Sequence, residues 1–505
     1  MPTRFGKSPK KVFAYEYPSP PQFTDPARRE KLAAAFPEIH RVLEEYLNEQ
    51  HIPGIALGVV IDGELAYVDA FGLRHVETNA PVMPETVFRI ASMSKSFVAM
   101  AILKLRDEKK LRLDDPVAKY IPEFKKLKYP TADSSALTIR HLLTMSPGFP
   151  EDNPWGDRQM AIREREFTNW LRAGIPFSNA PNVTFEYSNY GYAILGRIVT
   201  LVSGTTFQKY ITRIILKPLG MHATVWDKKN VSSEMLAQGY RYEDDQFKPE
   251  PILSDGAFAA MAGLFTTIPD FAHYMSFLLN AFPPRDDLDV GPVERATARE
   301  MQQLQRYEEL VERPLQDNNV WRAVAGYGFG LAIWHDQRLG YGVSHGGGLP
   351  GYGSYYYLLP HHGVGIAAFT NRTYSRVGLL FNRVLELLAS TGGLQARKII
   401  PAPILLELRG VVQRWLETTD DGELTARAAD NFLLDRDLAH RRAELEKIRT
   451  DLGAFVRVGE IEAVNALRGK WVIECERGWL DVFLTLAPTM PPTIQMLNLT
   501  PRAKT

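Results

Sequence analysis

Ala91-Ser92-Met93-Ser94-Lys95-Ser96-Phe97-Val98-Ala99-Met100 is the stretch around which the rest of the chain is organised. It holds a serine and a lysine three residues apart, Ser92 and Lys95. Phe97, Val98, Ala101, Ile102 and Leu105 follow at helical spacing, which predicts Ser92 at the first turn of a buried helix. Side chains three apart share a helix face, so the Lys95 amine falls beside the Ser92 hydroxyl. A neutral or poised amine there accepts the hydroxyl's proton. The helix start adds unpaired N–H groups and a positive dipole end for a developing oxyanion. Read alone, the four residues describe an ordinary helix start equally well, and the distinction rests on partners elsewhere in the chain.

One partner stretch is Glu186-Tyr187-Ser188-Asn189-Tyr190, where Tyr187 and Asn189 stand just before a helix expected over 191–202. A phenol beside an ammonium is expected to have a lowered pKa and to serve as general base and acid. Asn189 offers an amide to both the lysine and a substrate carbonyl. Taken singly, a buried tyrosine beside a turn asparagine is the plainer description.

The other is Ser344-His345-Gly346-Gly347-Gly348-Leu349-Pro350-Gly351-Tyr352-Gly353-Ser354-Tyr355, a strand ending in glycines. Gly346 and Gly347 let a substrate backbone approach closely, and an N–H from Gly348 pairs with that of Ser92 as a candidate oxyanion hole. A lone histidine in such a turn reads as structural. Gly342-Val343-Ser344-His345-Gly346 also fits the G-x-S-x-G nucleophile elbow, which needs a helix immediately after it. The run 347–351 cannot begin one, so Ser344 is set aside.

Together, S-x-x-K, then Y-x-N about ninety residues on, then H-G-G on a late strand resembles the serine β-lactamase and penicillin-binding-protein superfamily. Within it the pattern is similar to the class C β-lactamase, esterase and D-aminopeptidase branch. The resemblance spans about 38–389, with 137–144 and 351–355 as supporting phrases. It implies an α+β fold of the β-lactamase/transpeptidase type: an antiparallel sheet flanked by helices, plus a helical subdomain. It further implies Ser92 as acylated nucleophile, Lys95 as its activating cation and Tyr187 as proton shuttle. Asn189, His345, Gly346 and Gly347 become substrate contacts, the N–H groups of Ser92 and Gly348 the oxyanion hole, and no metal or organic cofactor is called for. The activity implied is hydrolysis of an ester or amide through an acyl-enzyme, by an esterase or a D-amino-acid peptidase or amidase. A true β-lactamase or an acyltransferase uses the same site. A non-catalytic relative that binds peptidoglycan or a protein is the rival of another class, and it has no chemical need for Lys95 or Tyr187. His345 stands where lactamases of this class carry lysine. Histidine is mostly neutral near pH 7, which weakens the case for a carboxylate-bearing antibiotic and favours other esters, amides or peptides.

The bulk properties agree. At 505 residues with 45% hydrophobic and 23% charged residues, the chain can bury a large core. Its 59 basic residues balance 59 acidic ones, removing the general electrostatic reason to expect nucleic acid as partner and leaving a small-molecule or peptide substrate. The single cysteine, Cys475, excludes an internal disulfide and reads as a small buried hydrophobe. No run of eighteen apolar residues is present, so no membrane span is expected. The first twenty residues show no signal-peptide pattern, which reads as cytoplasmic, or as periplasmic or secreted if a leader has been removed.

The expected organisation is an N-terminal extension (1–25), a hydrolase domain (26–397), a stiff Pro-containing linker (398–404) and a small C-terminal α+β domain (405–505) similar to the NTF2-like fold in its order of elements. Either dimerisation of two copies or shaping of the cleft suits that last domain. Within the hydrolase domain, 25–50 predicts one amphipathic helix, and 55–61 with 65–71 a hairpin about Asp62-Gly63. A loop and a helix are expected over 283–312, and strands over 327–334, 341–344, 354–359 and 364–370. The loop 149–157 carries Trp155, suited either to walling a substrate pocket or to plain packing.

Overall fold

Alternating and glycine-rich segments from both ends of the larger unit assemble into one antiparallel sheet. The computed structural model describes residues 16–314 and 320–504, so residues 1–15 of the N-terminal extension lie outside it. Among the described residues nine strands pair in the order Ala80–Pro81, Glu64–His75, Gly54–Ile61, Val364–Thr370, Tyr352–Leu359, Gly340–Leu349, Ala332–Asp336, Val320–Tyr327 and Arg306–Pro314. The Asp62-Gly63 hairpin forms as its sequence dictates, both turn residues having positive φ (52° and 84°).

The helix Ser94–Asp107 is buried on nearly every side, with Phe97, Val98, Met100, Ala101, Ile102 and Leu105 fully inaccessible. A helix apolar all round belongs inside a layered domain. It packs against the helix Asn189–Ser203, and Phe97 stacks on Tyr274 of the helix Ile268–Leu279 with ring centroids 4.2 Å apart. The fold is therefore α+β, with a core that holds the Ser92 segment rigidly.

Several local expectations are corrected. The single helix expected over 25–50 is two, Arg28–Ala33 and Phe36–Glu49, because Pro37 lacks an N–H and fits only a first turn. The strand expected over 327–334 is a hairpin: Val320–Tyr327 and Ala332–Asp336 pair with each other, and the turn between them contains Gly330 at φ +73°. Arg306–Pro314, expected as loop or helix, is the sheet's edge strand, where charged residues suit the solvated side.

Residues 25–396 form one compact unit, and 16–24 with 397–504 form the other. In the smaller unit Gln22 and Lys398 exchange backbone hydrogen bonds of 3.1 and 2.8 Å. Four helices, Pro403–Thr418, Asp421–Ala426, Asp430–Asp435 and Leu438–Leu452, precede an antiparallel sheet built from Phe455 onward. Trp415, Phe432, Leu445, Trp471, Ile473, Leu480 and Cys475 form its separate core. No helix of the described residues is long and apolar enough to cross a membrane.

Candidate active site

The nucleophile's segment turns sharply before its helix. Ala91 has φ +49°, a costly region for a residue with a Cβ, and Ala91–Met93 make a 3-10 turn leading into Ser94–Asp107. Of the three serines here, Ser94 donates to Ala91 O (2.7 Å) and accepts from Leu264 N (3.0 Å), and Ser96 donates to Met93 O (2.9 Å). Both serve the backbone. Ser92, 8% exposed, is the one that meets Lys95.

Lys95 is wholly buried, and its Nζ lies 2.9 Å from Ser92 Oγ, 2.7 Å from Asn189 Oδ1 and 2.8 Å from the Met261 carbonyl. Three acceptors match the three hydrogens of an ammonium. They match the neutral amine too, if its two hydrogens stay on Asn189 and Met261 while its lone pair takes the Ser92 hydrogen. Burial pushes the amine down from 10.5 to about 7, opposed by the carboxylates of Asp157 and then Asp152. The site thus holds a lysine that releases its proton near neutrality.

Tyr187 and Asn189 are placed by the start of the helix Asn189–Ser203. Ser188 caps it, accepting from Gly191 N at 3.1 Å. The Asp152 carboxylate receives the N–H groups of Asn189 and Tyr190, each at 2.7 Å, a favourable place for an anion. Asn189 spends one of its two amide hydrogens on Asn153 Oδ1 (2.7 Å), which fixes its oxygen towards Lys95. The Lys95 Nζ lies 4.9 Å from the Tyr187 ring centroid. The expected lowering of the phenol's pKa is corrected. Burial raises it well above 10, the Ser92 hydroxyl opposing this as a hydrogen-bonding neighbour and Asp157 reinforcing it. Desolvation of the buried phenolate is the dominant cause.

The strand Gly340–Leu349 carries the remaining residues. Gly347 lies against the nucleophile's turn: a Cβ there would be 2.3 Å from both Ile90 O and Ser354 Oγ, and Ser354 itself donates to Ile90 O at 2.8 Å. Gly348 pairs with Gly353, and Gly346 with Tyr355. His345, 5% exposed, bonds Gly346 O through Nδ1 (2.6 Å) and the Tyr327 hydroxyl through Nε2 (2.9 Å). A carbonyl only accepts, so Nδ1 carries the hydrogen and Tyr327 donates to Nε2. Burial, helped by the Lys95 charge, takes His345 down to about 3. It is a neutral, saturated imidazole. Ser344 points to the opposite face, accepting from Trp334 Nε1 (2.9 Å) and Tyr355 OH (3.2 Å) in the middle of a strand, which is no nucleophile elbow.

Trp155 is 49% exposed, packs on Trp170 (5.4 Å) and edge-on to Phe258 (6.2 Å), and with Phe149, Trp170 and Tyr190 lines an apolar cavity of about 470 Å³. Sequence reasoning missed Met261, Asp152, Asp157, Tyr327 and Tyr374. The Met261 contribution is a backbone carbonyl, which no residue type advertises. Asp152 and Asp157 lie in a loop whose acids look like any solvated pair.

Comparison with known proteins follows the same lines. The family model described as Beta-lactamase matches residues 39–390. Protein flp of Staphylococcus aureus (strain COL) is 30% identical over 344 residues, 66% of this chain and 62% of flp. Penicillin-binding protein 4* of Bacillus subtilis (strain 168) is 25% identical over 327 residues, 62% of this chain and 66% of that protein. The chain therefore spans less than two thirds of the length of these relatives. The octameric penicillin-binding protein homologue from Pyrococcus abyssi shares the fold with a TM-score of 0.59 at 22% identity, covering 92% of this chain and 90% of its own.

Proposed function

Because this chain belongs to the β-lactamase family, we propose that it is a serine hydrolase that cleaves an ester or amide bond through an acyl-enzyme on Ser92. The observation that carries this reading is the buried Lys95 amine, 2.9 Å from Ser92 Oγ with its other hydrogens on Asn189 Oδ1 and Met261 O. Only the hydrogen between Lys95 and Ser92 is free to move, so proton transfer to nitrogen leaves the remaining contacts intact.

In acylation, neutral Lys95 takes the Ser92 proton as Oγ bonds to the substrate carbonyl carbon. The backbone N–H groups of Ser92 and Gly348 receive the oxyanion. The Tyr187 phenol, neutral because burial holds its pKa high, relays a proton from Lys95 to the leaving oxygen or nitrogen as that bond breaks. In deacylation water gives its proton back along the same path and attacks the acyl carbon, releasing the acid and Ser92. Asn189 holds Lys95 through Oδ1 and has a second amide hydrogen to offer a substrate carbonyl. With His345 neutral, this strand offers no imidazolium to pair a substrate carboxylate. That favours esters, amides or peptides without a paired carboxylate over carboxylate-bearing β-lactams.

The test is a hydrolysis panel of nitrophenyl esters, D-alanine amides and a chromogenic cephalosporin, with intact-mass analysis after treatment with a fluorophosphonate. We expect turnover of one class, a single adduct on Ser92, and loss of several orders of magnitude in Ser92→Ala. Undiminished hydrolysis by Ser92→Ala would refute the assignment. No adduct and no turnover would instead favour a binding protein on the same fold.

A further inference from the structure

A hydrogen bond links two walls of the site. The Tyr374 hydroxyl donates to Asp157 Oδ2 at 2.9 Å. Asp157 sits in the turn Gly156–Gln159, and Gly156 presses directly on Asn189, where a Cβ would come within 2.9 Å of the Asn189 Cβ. Asp157 is also the strongest acidic influence on Lys95. Tyr374 follows the strand Val364–Thr370, and its ring covers Gly348: a Cβ on that glycine would lie 2.9 Å from Tyr374 Cδ1. The bond therefore joins the Lys95–Asn189 side of the site to the glycine assigned to the oxyanion.

The linkage is built rather than incidental. Tyr374 is 40% exposed yet holds φ +50°, a left-handed conformation that an aromatic residue rarely adopts unaided. Its N–H is donated to Tyr352 O at 3.2 Å. Asp157 is 3% exposed and receives the Tyr374 hydroxyl as a buried carboxylate. Ser92 is only 8% exposed.

We propose that Tyr374 and Asp157 form a strap beside the acylation site that limits bulk next to the reacting carbonyl, making short, unbranched acyl esters or amides the preferred substrates. The inference rests on the serine hydrolase reading. The Tyr374 ring lies over Gly348, so in this proposal the acyl substituent of a carbonyl bonded to Ser92 Oγ, with its oxygen on the Gly348 N–H, runs beside that ring. Slim acyl groups pass; an aryl or long alkyl group meets the ring and must break the bond to Asp157. Tyr374 and Asp157 are thus specificity-determining, outside the proton path.

The test compares wild type, Tyr374→Ala, Tyr374→Phe and Asp157→Asn on nitrophenyl acetate, octanoate and benzoate. Ser92 labelling by a small and by a bulky fluorophosphonate is measured in parallel. In Tyr374→Ala the benzoate-to-acetate and octanoate-to-acetate ratios of kcat/KM should rise about tenfold or more, the range a pocket contact commands. The bulky probe should gain on the small one. Tyr374→Phe keeps the ring and loses the bond, and Asp157→Asn is close to isosteric, so both should shift the ratios in the same direction by less. These two variants carry the test if Tyr374→Ala fails to fold. Active proteins that all share one size profile overturn the strap and leave the hydrolase reading standing. If no form labels or turns over, the hydrolase reading itself falls, and this inference with it.

Discussion

Lys95→Met separates the lysine's chemical role from its energetic one. Folding moves this amine from 10.5 to about 7, and at about 1.4 kcal/mol per pH unit that corresponds to about 5 kcal/mol against the folded state once the group is protonated. The sign follows from proton counting. Between those two values the unfolded chain holds the proton and the folded chain does not, so raising the pH favours folding. The penalty is complete below the folded pKa and vanishes above the unfolded one. Integrated between pH 8 and pH 10, wild type should gain about 2–3 kcal/mol relative to Lys95→Met, which has no such group. The variant leaves Asn189 Oδ1 and Met261 O without their donor, at about 1–3 kcal/mol each, but that loss does not change over this range. Other titrating groups are common to both proteins and cancel in the difference. Urea unfolding of both proteins at pH 8, 9 and 10, with matched slopes, reads the quantity directly. A stability difference that stays flat from pH 8 to 10 would mean that Lys95 keeps its ordinary pKa in the folded protein, and the argument for a neutral base would fail. The same variant should lose several orders of magnitude in turnover.

Two further expectations come from the same geometry. The kcat/KM of wild type should fall about tenfold per pH unit below about pH 7, as Lys95 takes up the proton it must lack; a profile flat down to pH 5 contradicts Lys95 as base. Gly347→Ala should cost about 1–3 kcal/mol by overpacking and depress activity, because its Cβ would lie 2.3 Å from Ile90 O. Gly346→Ala meets nothing nearer than Tyr355 at 3.3 Å and should be tolerated far better, a contrast that thermal melts of the two variants resolve.

The sequence by itself determined what is local. The three-residue spacing of Ser92 and Lys95, the Asp62-Gly63 turn and the apolar run of the Ser94 helix follow from backbone geometry over a few residues, and they lie where their spacing puts them. It also contained Tyr187, Asn189 and the His345 strand, because those residue types stand out at fixed offsets. Charged edge residues hid the Arg306–Pro314 strand, since an edge has no buried face to impose alternation. Only the tertiary structure decided the protonation states. The sequence suggested an acidic phenol beside an ammonium, whereas burial by segments far away in the chain raises Tyr187 and lowers both Lys95 and His345. Desolvation depends on everything packed around a group, and so does the Met261 carbonyl or the Asp157–Tyr374 bond, which joins residues 217 positions apart. Spacing along a chain fixes which groups are available; packing fixes which of them carry charge.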